Sequence, residues 1–139
     1  MRNMSDIVRD QNPLMLRPSA TVMEAARQMR DRRVGAVLVT EGDGDLVGIF
    51  TGRDAVSRVL AEGKDPARTT LGEVMTYDPD TMTPKHSAIE ALRLMRDACC
   101  RHLPIVQDGK VLGIVSRGDF RGVEQDRLDE ETGLWERIA

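Results

Sequence analysis

The sequence predicts a mixed α+β fold in which one β-α-β-β-α unit is used twice in tandem. Three observations predict it. The chain matches itself when slid by 66 residues, and by 65 after one extra loop residue in the first half. Each half carries a Ser/Thr-x-x-Glu box followed by apolar residues at helical spacing. Each half then has two runs rich in β-branched residues around a Gly/Asp turn.

The self-match comes first, because a missed repeat misassigns the whole fold. Pro13 falls on Pro79, Pro18 on Pro84, Glu24 on Glu90, Met29 on Met95, Arg30 on Arg96 and Asp31 on Asp97. At the shorter offset, Gly48 meets Gly113, Ile49 meets Ile114, Thr51 meets Ser116 and Asp54 meets Asp119. The repeats span about residues 4–65 and 71–128, leaving 129–139 as an acidic C-terminal tail. Between the repeats lies AEGKDPARTT, a polar stretch with Gly and Pro that reads as a linker. A unit of roughly 60 residues is marginal alone, and two copies bury what one cannot.

Each element has its own local reason. A short extended segment opens each unit, Leu14-Met15-Leu16 and Thr81-Met82-Thr83. Thr21 with Glu24, and Ser87 with Glu90, fit a capping box: the hydroxyl takes an orphan N–H and the carboxylate reaches back. Val22, Ala25, Ala26 and Met29 then form an apolar stripe, as do Ala88, Ala91, Leu92 and Met95. The runs Ala36–Val39 and Leu46–Phe50 flank EGDGD, and Leu103–Val106 and Val111–Val115 flank QDGK, so each pair reads as a hairpin. A second helix is expected from about residue 53, with Ala55, Val56, Val59 and Leu60 apolar. Another is expected from about 118, with Phe120 and Val123.

Composition narrows the function. The 139 residues carry 20 basic and 23 acidic side chains, net −3, which excludes a strongly basic nucleic-acid binder. Aromatics are 3%, so the core must come from Val, Ile, Leu, Met and Ala. No stretch approaches the ~20 apolar residues of a membrane span, and the N-terminus MRNMSDIVRDQ lacks an apolar secretion signal. A cytoplasmic location is the expectation. The adjacent Cys99 and Cys100 are too few for a metal cage and read as buried small apolar residues. His86 is expected at the surface. No nucleophile–base pair and no phosphate-binding glycine loop is visible, so no enzyme is expected.

Taken together, VMEAARQMRDRRVGAVLV with DLVGIFTGRDAV, and AIEALRLMRDACCRHLPIV with KVLGIVSRGDF, resemble the CBS domain, the module named after cystathionine β-synthase. GEVMTYDP precedes the second set. The chain looks like a tandem CBS pair with no enzyme domain attached, its units related by a pseudo-two-fold. The resemblance implies a regulatory module that binds an adenine nucleotide such as AMP or ATP, or a related adenosine compound, between its halves. It needs no cofactor; whether Mg²⁺ accompanies the ligand is open. It also implies pairing into a homodimer and a regulated partner protein. Apolar residues on several sides of one helix, Ile89, Leu92, Leu94 and Met95, point to pairing too. The alternative is a structural or interaction subunit that regulates a partner with no nucleotide bound.

The motifs Gly48–Asp54 and Gly113–Asp119 place a hydroxyl at a strand end and an Asp three residues on. That is either a helix cap or a ribose and phosphate contact. The resemblance favours Thr51, Asp54, Ser116 and Asp119 as ligand residues. Arg101 and His102 read as a phosphate clamp or as cations at a helix end. The first repeat has Gly35-Ala36 there, so the sites are expected to be unequal, and Arg33 or Arg53 to compensate. Which Asp sits with Arg101 is open. Met15, Val37, Thr81 and Leu103 are expected as pocket walls. Most of the 17 Arg read as coding bias. Leu134, Trp135 and Ile138 read as a packed or interfacial tail end.

Overall fold

The computed structural model describes residues 2–98 and 100–120. These form two compact units, neither of them contiguous in sequence. One consists of residues 12–79 with 108–111; the other consists of residues 2–11, 80–98, 100–107 and 112–120. They are called here the first and second units. Cys99, Val123 and the tail, with Leu134, Trp135 and Ile138, lie outside the described residues.

In the first unit, β1 (Met15–Leu16) runs parallel to β2 (Ala36–Glu41). Antiparallel to β2 lies β3 (Asp45–Thr51), with Ala36 opposite Thr51 and Val37 opposite Phe50. The hairpin turn carries Gly42 and Gly44 at positive φ, 58° and 100°, which no β-branched residue would tolerate. Ala36 to Thr40 are all buried, as befits a strand covered on both faces. Helix α2 (Val22–Arg32) starts at Thr21, whose Oγ1 accepts from the Glu24 N–H at 3.1 Å. It ends at Arg33, held in the left-handed region at φ 55°. Val22, Ala25 and Met29 point into the core, whereas Ala26 is exposed and is not part of the stripe.

The expected second helix of the first repeat is irregular. A short α3 (Gly52–Asp54) widens into a π-helical turn over Ala55–Leu60, with the Ala61 N–H donating to Val56 five residues back. The wider turn re-aims its side chains. Val59 is buried and Ala55 half-buried, but Val56 and Leu60 face solvent, contrary to the expected apolar stripe. The linker ends in α4 (Leu71–Val74), followed by β4 (Thr76–Tyr77), which pairs with β3 through Gly48 and Ile49. Leu71, Val74 and Met75 join Leu14, Val22, Met29, Val37, Phe50 and Val59 in one core.

The second unit is built in the same way. Its leading piece is α1 (Met4–Val8), capped by a reciprocal Asn3–Asp6 box. Met82 bridges Ile105 in parallel, the counterpart of β1. Helix α5 (Ala88–Asp97) has the full Ser87–Glu90 box: Oγ accepts from the Glu90 N–H at 3.2 Å, and Oε1 from the Ser87 N–H at 3.1 Å. Strands β5 (His102–Gln107) and β6 (Lys110–Ser116) follow, then a 3₁₀ turn at Arg117–Asp119. The core unites Met4, Val8, Ala88, Leu92, Met95, Leu103, Ile105, Val115 and Phe120. Leu92 and Met95 are buried in this core, Leu94 is half-buried against it, and Ile89 is buried as well. Cys100 is half-buried against this core. His86 is half-buried rather than exposed, and its Nδ1 accepts from the Thr83 N–H at 3.1 Å.

The leading segments are thus exchanged. Residues 71–79 start the second sequence repeat but pack with the first, and residues up to 11 start the first repeat but pack with the second. Matching backbone bonds hold both. Leu71 N–H donates to Ala20 at 2.8 Å and Val22 N–H to Thr69 at 2.9 Å; Met4 N–H donates to His86 at 2.8 Å and Ala88 N–H to Arg2 at 3.0 Å.

Candidate functional site

Each unit carries one hydroxyl–carboxylate box at a strand end. In the first unit, Asp54 Oδ2 accepts from the Thr51 N–H at 2.9 Å and the Thr51 Oγ1–H at 3.1 Å. Thr51 Oγ1 in turn accepts from the Asp54 N–H at 3.3 Å. In the second unit, Asp119 Oδ2 accepts from the Ser116 N–H at 2.7 Å and its hydroxyl at 3.3 Å. The same local pattern, extended strand into tight helical turn, sets both.

These boxes engage donors that a phosphate would otherwise use. Gly52 N–H donates to Gly35 O at 3.1 Å, and Arg117 N–H donates to Arg101 O at 3.2 Å. With the Asp54 N–H held by Thr51, the helix starts have fewer amides for an anion than the sequence suggests. The box bonds fall on Oδ2 and leave Oδ1 outside them, an atom suited to hydroxyl donors, although in the first unit Asp54 Oδ1 already lies 3.7 Å from Arg58 Nε.

The surroundings of the two boxes differ. The Gly52–Gly35 bond sets Thr51, Arg53 and Asp54 beside uncharged Gly35-Ala36. The Arg117–Arg101 bond sets Ser116 and Asp119 beside Arg101 and His102, so Asp119 is the carboxylate that shares a unit with Arg101. Arg101 is exposed. His102 is half-buried, and burial pushes its pKa below the ordinary value; the Asp119 carboxylate opposes this and Arg101 adds to it. Arg53 is exposed beside the first box.

Sequence reasoning missed Arg58. Its Nε lies 3.7 Å from Asp54 Oδ1, and its Nη1 donates to the carbonyls of Val74 at 3.2 Å and Met75 at 3.1 Å. The signal available was its i,i+4 spacing from Asp54.

Val37 and Leu103 are fully buried in the cores of their units. Thr81 is exposed, next to the Met82–Ile105 bridge. Met15, 40% exposed, lines a cleft of about 440 Å³ with Leu16, Arg17, Ser19, Ala20, Glu24 and Thr40. Thr40 pairs with Leu46, whereas Thr51 pairs with Ala36, so this cleft sits at the far end of β2 from the Thr51–Asp54 box. Among the described residues, no cluster of three His, Cys, Asp or Glu could hold a metal. No helix among them is long and apolar enough to cross a membrane.

Comparison with known proteins agrees with this architecture. The CBS domain CBSCBSPB2 protein of Arabidopsis thaliana is 42% identical over 102 residues, 73% of this chain; the chain spans only about 19% of that relative's length. YhcV of Bacillus subtilis, a CBS domain-containing protein, is 39% identical over 103 residues, covering 74% of this chain and 72% of YhcV. Among solved structures, the CBS domain pair of MJ0100, in complex with 5′-methylthioadenosine and S-adenosyl-L-methionine, superposes with a TM-score of 0.76. It is 26% identical, with 84% of this chain and 94% of that one covered. The family profile described as CBS domain matches residues 4–61 and again 71–125, so the chain belongs to the CBS domain family and carries the domain in two tandem copies.

Proposed function

We propose that the chain is a regulatory, non-catalytic module that senses an adenosine compound. The observation that carries the reading is the repeated box: in both units an Asp fixed through Oδ2 by a strand-end hydroxyl retains Oδ1 as an acceptor. A ribose presents two adjacent hydroxyl donors that such an oxygen can accept. The MJ0100 pair, with its adenosine-containing ligands, supports the same chemistry. Thr51 and Asp54 serve one site; Ser116 and Asp119, with Arg101 and His102, serve the other. Ligand favours the conformation to which it binds more tightly, and a separate partner protein reads the shift. Val56 and Leu60, 60% and 66% exposed, support assembly as a homodimer; the proposed setting is the cytoplasm. A light-scattering mass near 15.5 kDa at micromolar concentration overturns that assembly.

A second reading has a specific observation in its favour. Both boxes are complete without a ligand, as plain helix caps are. On that reading the module is an interaction subunit. Thermal unfolding separates the two. Adenosine, AMP or ATP, with and without Mg²⁺, at ~100 times its dissociation constant stabilises a sensor by about 2.7 kcal/mol. An interaction subunit shows no shift with any of them. Mass spectrometry of small molecules retained on purification identifies the ligand directly.

A further inference from the structure

Arg58 stands between the candidate ligand carboxylate and a segment that begins the second sequence repeat. Asp54 has one oxygen saturated: Oδ2 takes both Thr51 donors. Its other oxygen, Oδ1, is the one that faces Arg58 Nε at 3.7 Å. The Asp54 side chain is 15% exposed and that of Arg58 48%, so this pairing is partly screened by solvent. The far end of the same guanidinium donates to two successive carbonyls, Val74 and Met75. These close α4, whose last turn leaves carbonyls without helical partners. Met75 and Thr76 in turn pack against Gly48 on β3, the strand that ends in Thr51.

The geometry points to Arg58 as a positioning residue that transmits the state of the Asp54 carboxylate to the α4–β4 segment. It rests on the reading of Asp54 as a ligand residue. A ribose hydroxyl donating to Oδ1 meets the same oxygen that Arg58 approaches, so ligand and arginine act on one atom. By reciprocity, whatever occupancy does to Arg58, Arg58 does to affinity. The π-helical turn that carries Arg58 aims it across to α4. At the repeat offset Arg58 falls on Val123, an apolar residue, so the device belongs to one repeat only.

Amide hydrogen exchange on the full chain tests this without any ligand. Arg58→Gln removes two charged hydrogen bonds to carbonyls, and exchange at residues 74–77 should rise about ten-fold. Asp54→Asn removes the charge that faces Arg58 while its amide oxygen can still accept from Thr51, and the rise there should be roughly two-fold. In the double variant, Asp54→Asn should add nothing to Arg58→Gln, the mark of a shared path. If Asp54→Asn leaves residues 74–77 unchanged, or its effect adds fully to that of Arg58→Gln, Arg58 is a carbonyl clamp and the proposal is overturned. A second arm adds saturating adenosine. Exchange at 74–77 should change in the parent and not in Arg58→Gln; an equal change in both overturns the proposal. If adenosine does not bind the parent at all, the adenosine reading fails, and the ligand-free arm still decides the linkage.

Discussion

Gly48 and Met75 touch so closely that a β-carbon on the glycine would lie 2.5 Å from the methionine sulfur and 2.9 Å from the Thr76 carbonyl oxygen. The second unit repeats the relationship at Gly113, where a β-carbon would lie 2.6 Å from Val8 Cβ and 2.7 Å from Gln11 Oε1. That Gln11 oxygen accepts from the Ile114 N–H at 2.9 Å. The glycine ahead of each Thr/Ser-x-x-Asp box is therefore the seat of an exchanged leading segment.

Gly48→Ala and Gly113→Ala should each lower unfolding free energy by about 1–3 kcal/mol, because backbone or branched atoms must move. Gly52→Ala is the control. Nothing lies within 4 Å of its built β-carbon, and stability should hold or rise by about 0.5–1 kcal/mol. Urea denaturation of the three variants reads both outcomes. A Gly48 variant as stable as the parent would mean the segment can shift freely.

Asp54→Ala and Asp119→Ala should each show two losses at once. Each removes a reciprocal cap, costing ~1 kcal/mol of stability. Each also removes a charged acceptor, lowering adenosine-ligand affinity at its own site about ten-fold or more. Calorimetric titration beside a denaturation curve measures the pair. Stability loss with unchanged affinity leaves the carboxylates as caps alone.

Arg101→Ala should flatten the difference between adenosine and its monophosphate at one site. The exposed Arg101 shares a unit with Ser116 and Asp119, whereas in the first unit uncharged Gly35 stands at the corresponding position and the cation near Asp54 is Arg58. Two equivalent sites in the parent, both indifferent to the substitution, would defeat this.

Stability should fall as pH drops below about 6.5, in part through His102. Burial holds its folded-state pKa below the unfolded value of 6.5, so the unfolded chain binds the proton more readily. The contribution is fully present above that value and declines as pH falls toward the folded pKa. His102→Gln should flatten the pH dependence of the urea midpoint between about pH 5 and 7. An unchanged slope assigns it to other groups.

The repeat, both hairpins and the helix starts were legible because they rest on local chemistry: Thr21 and Ser87 as caps, Gly42 and Gly44 in a turn. Thr51–Asp54 and Ser116–Asp119 were legible as pairs for the same reason. What was not legible depends on distant contacts. Val37 and Leu103 look alike as core or as pocket wall until their neighbours are known. Arg58 looks like any surface arginine until α4 arrives beside it. The exchange of leading segments is invisible because α1 and α4 each offer a small apolar face that would suit either core.

That exchange orders events during synthesis. As the chain leaves the ribosome, residues 12–79 are nearly all of the first unit and can close with short-range contacts. Residues up to 11 emerge earlier still, yet their partners include Leu103, Val115 and Phe120. Met4 and Val8 must therefore wait, unburied, until the chain has been made as far as Phe120. Closing so long a loop costs little equilibrium stability but slows assembly, so the second unit should fold last and be the one that depends on chaperone protection.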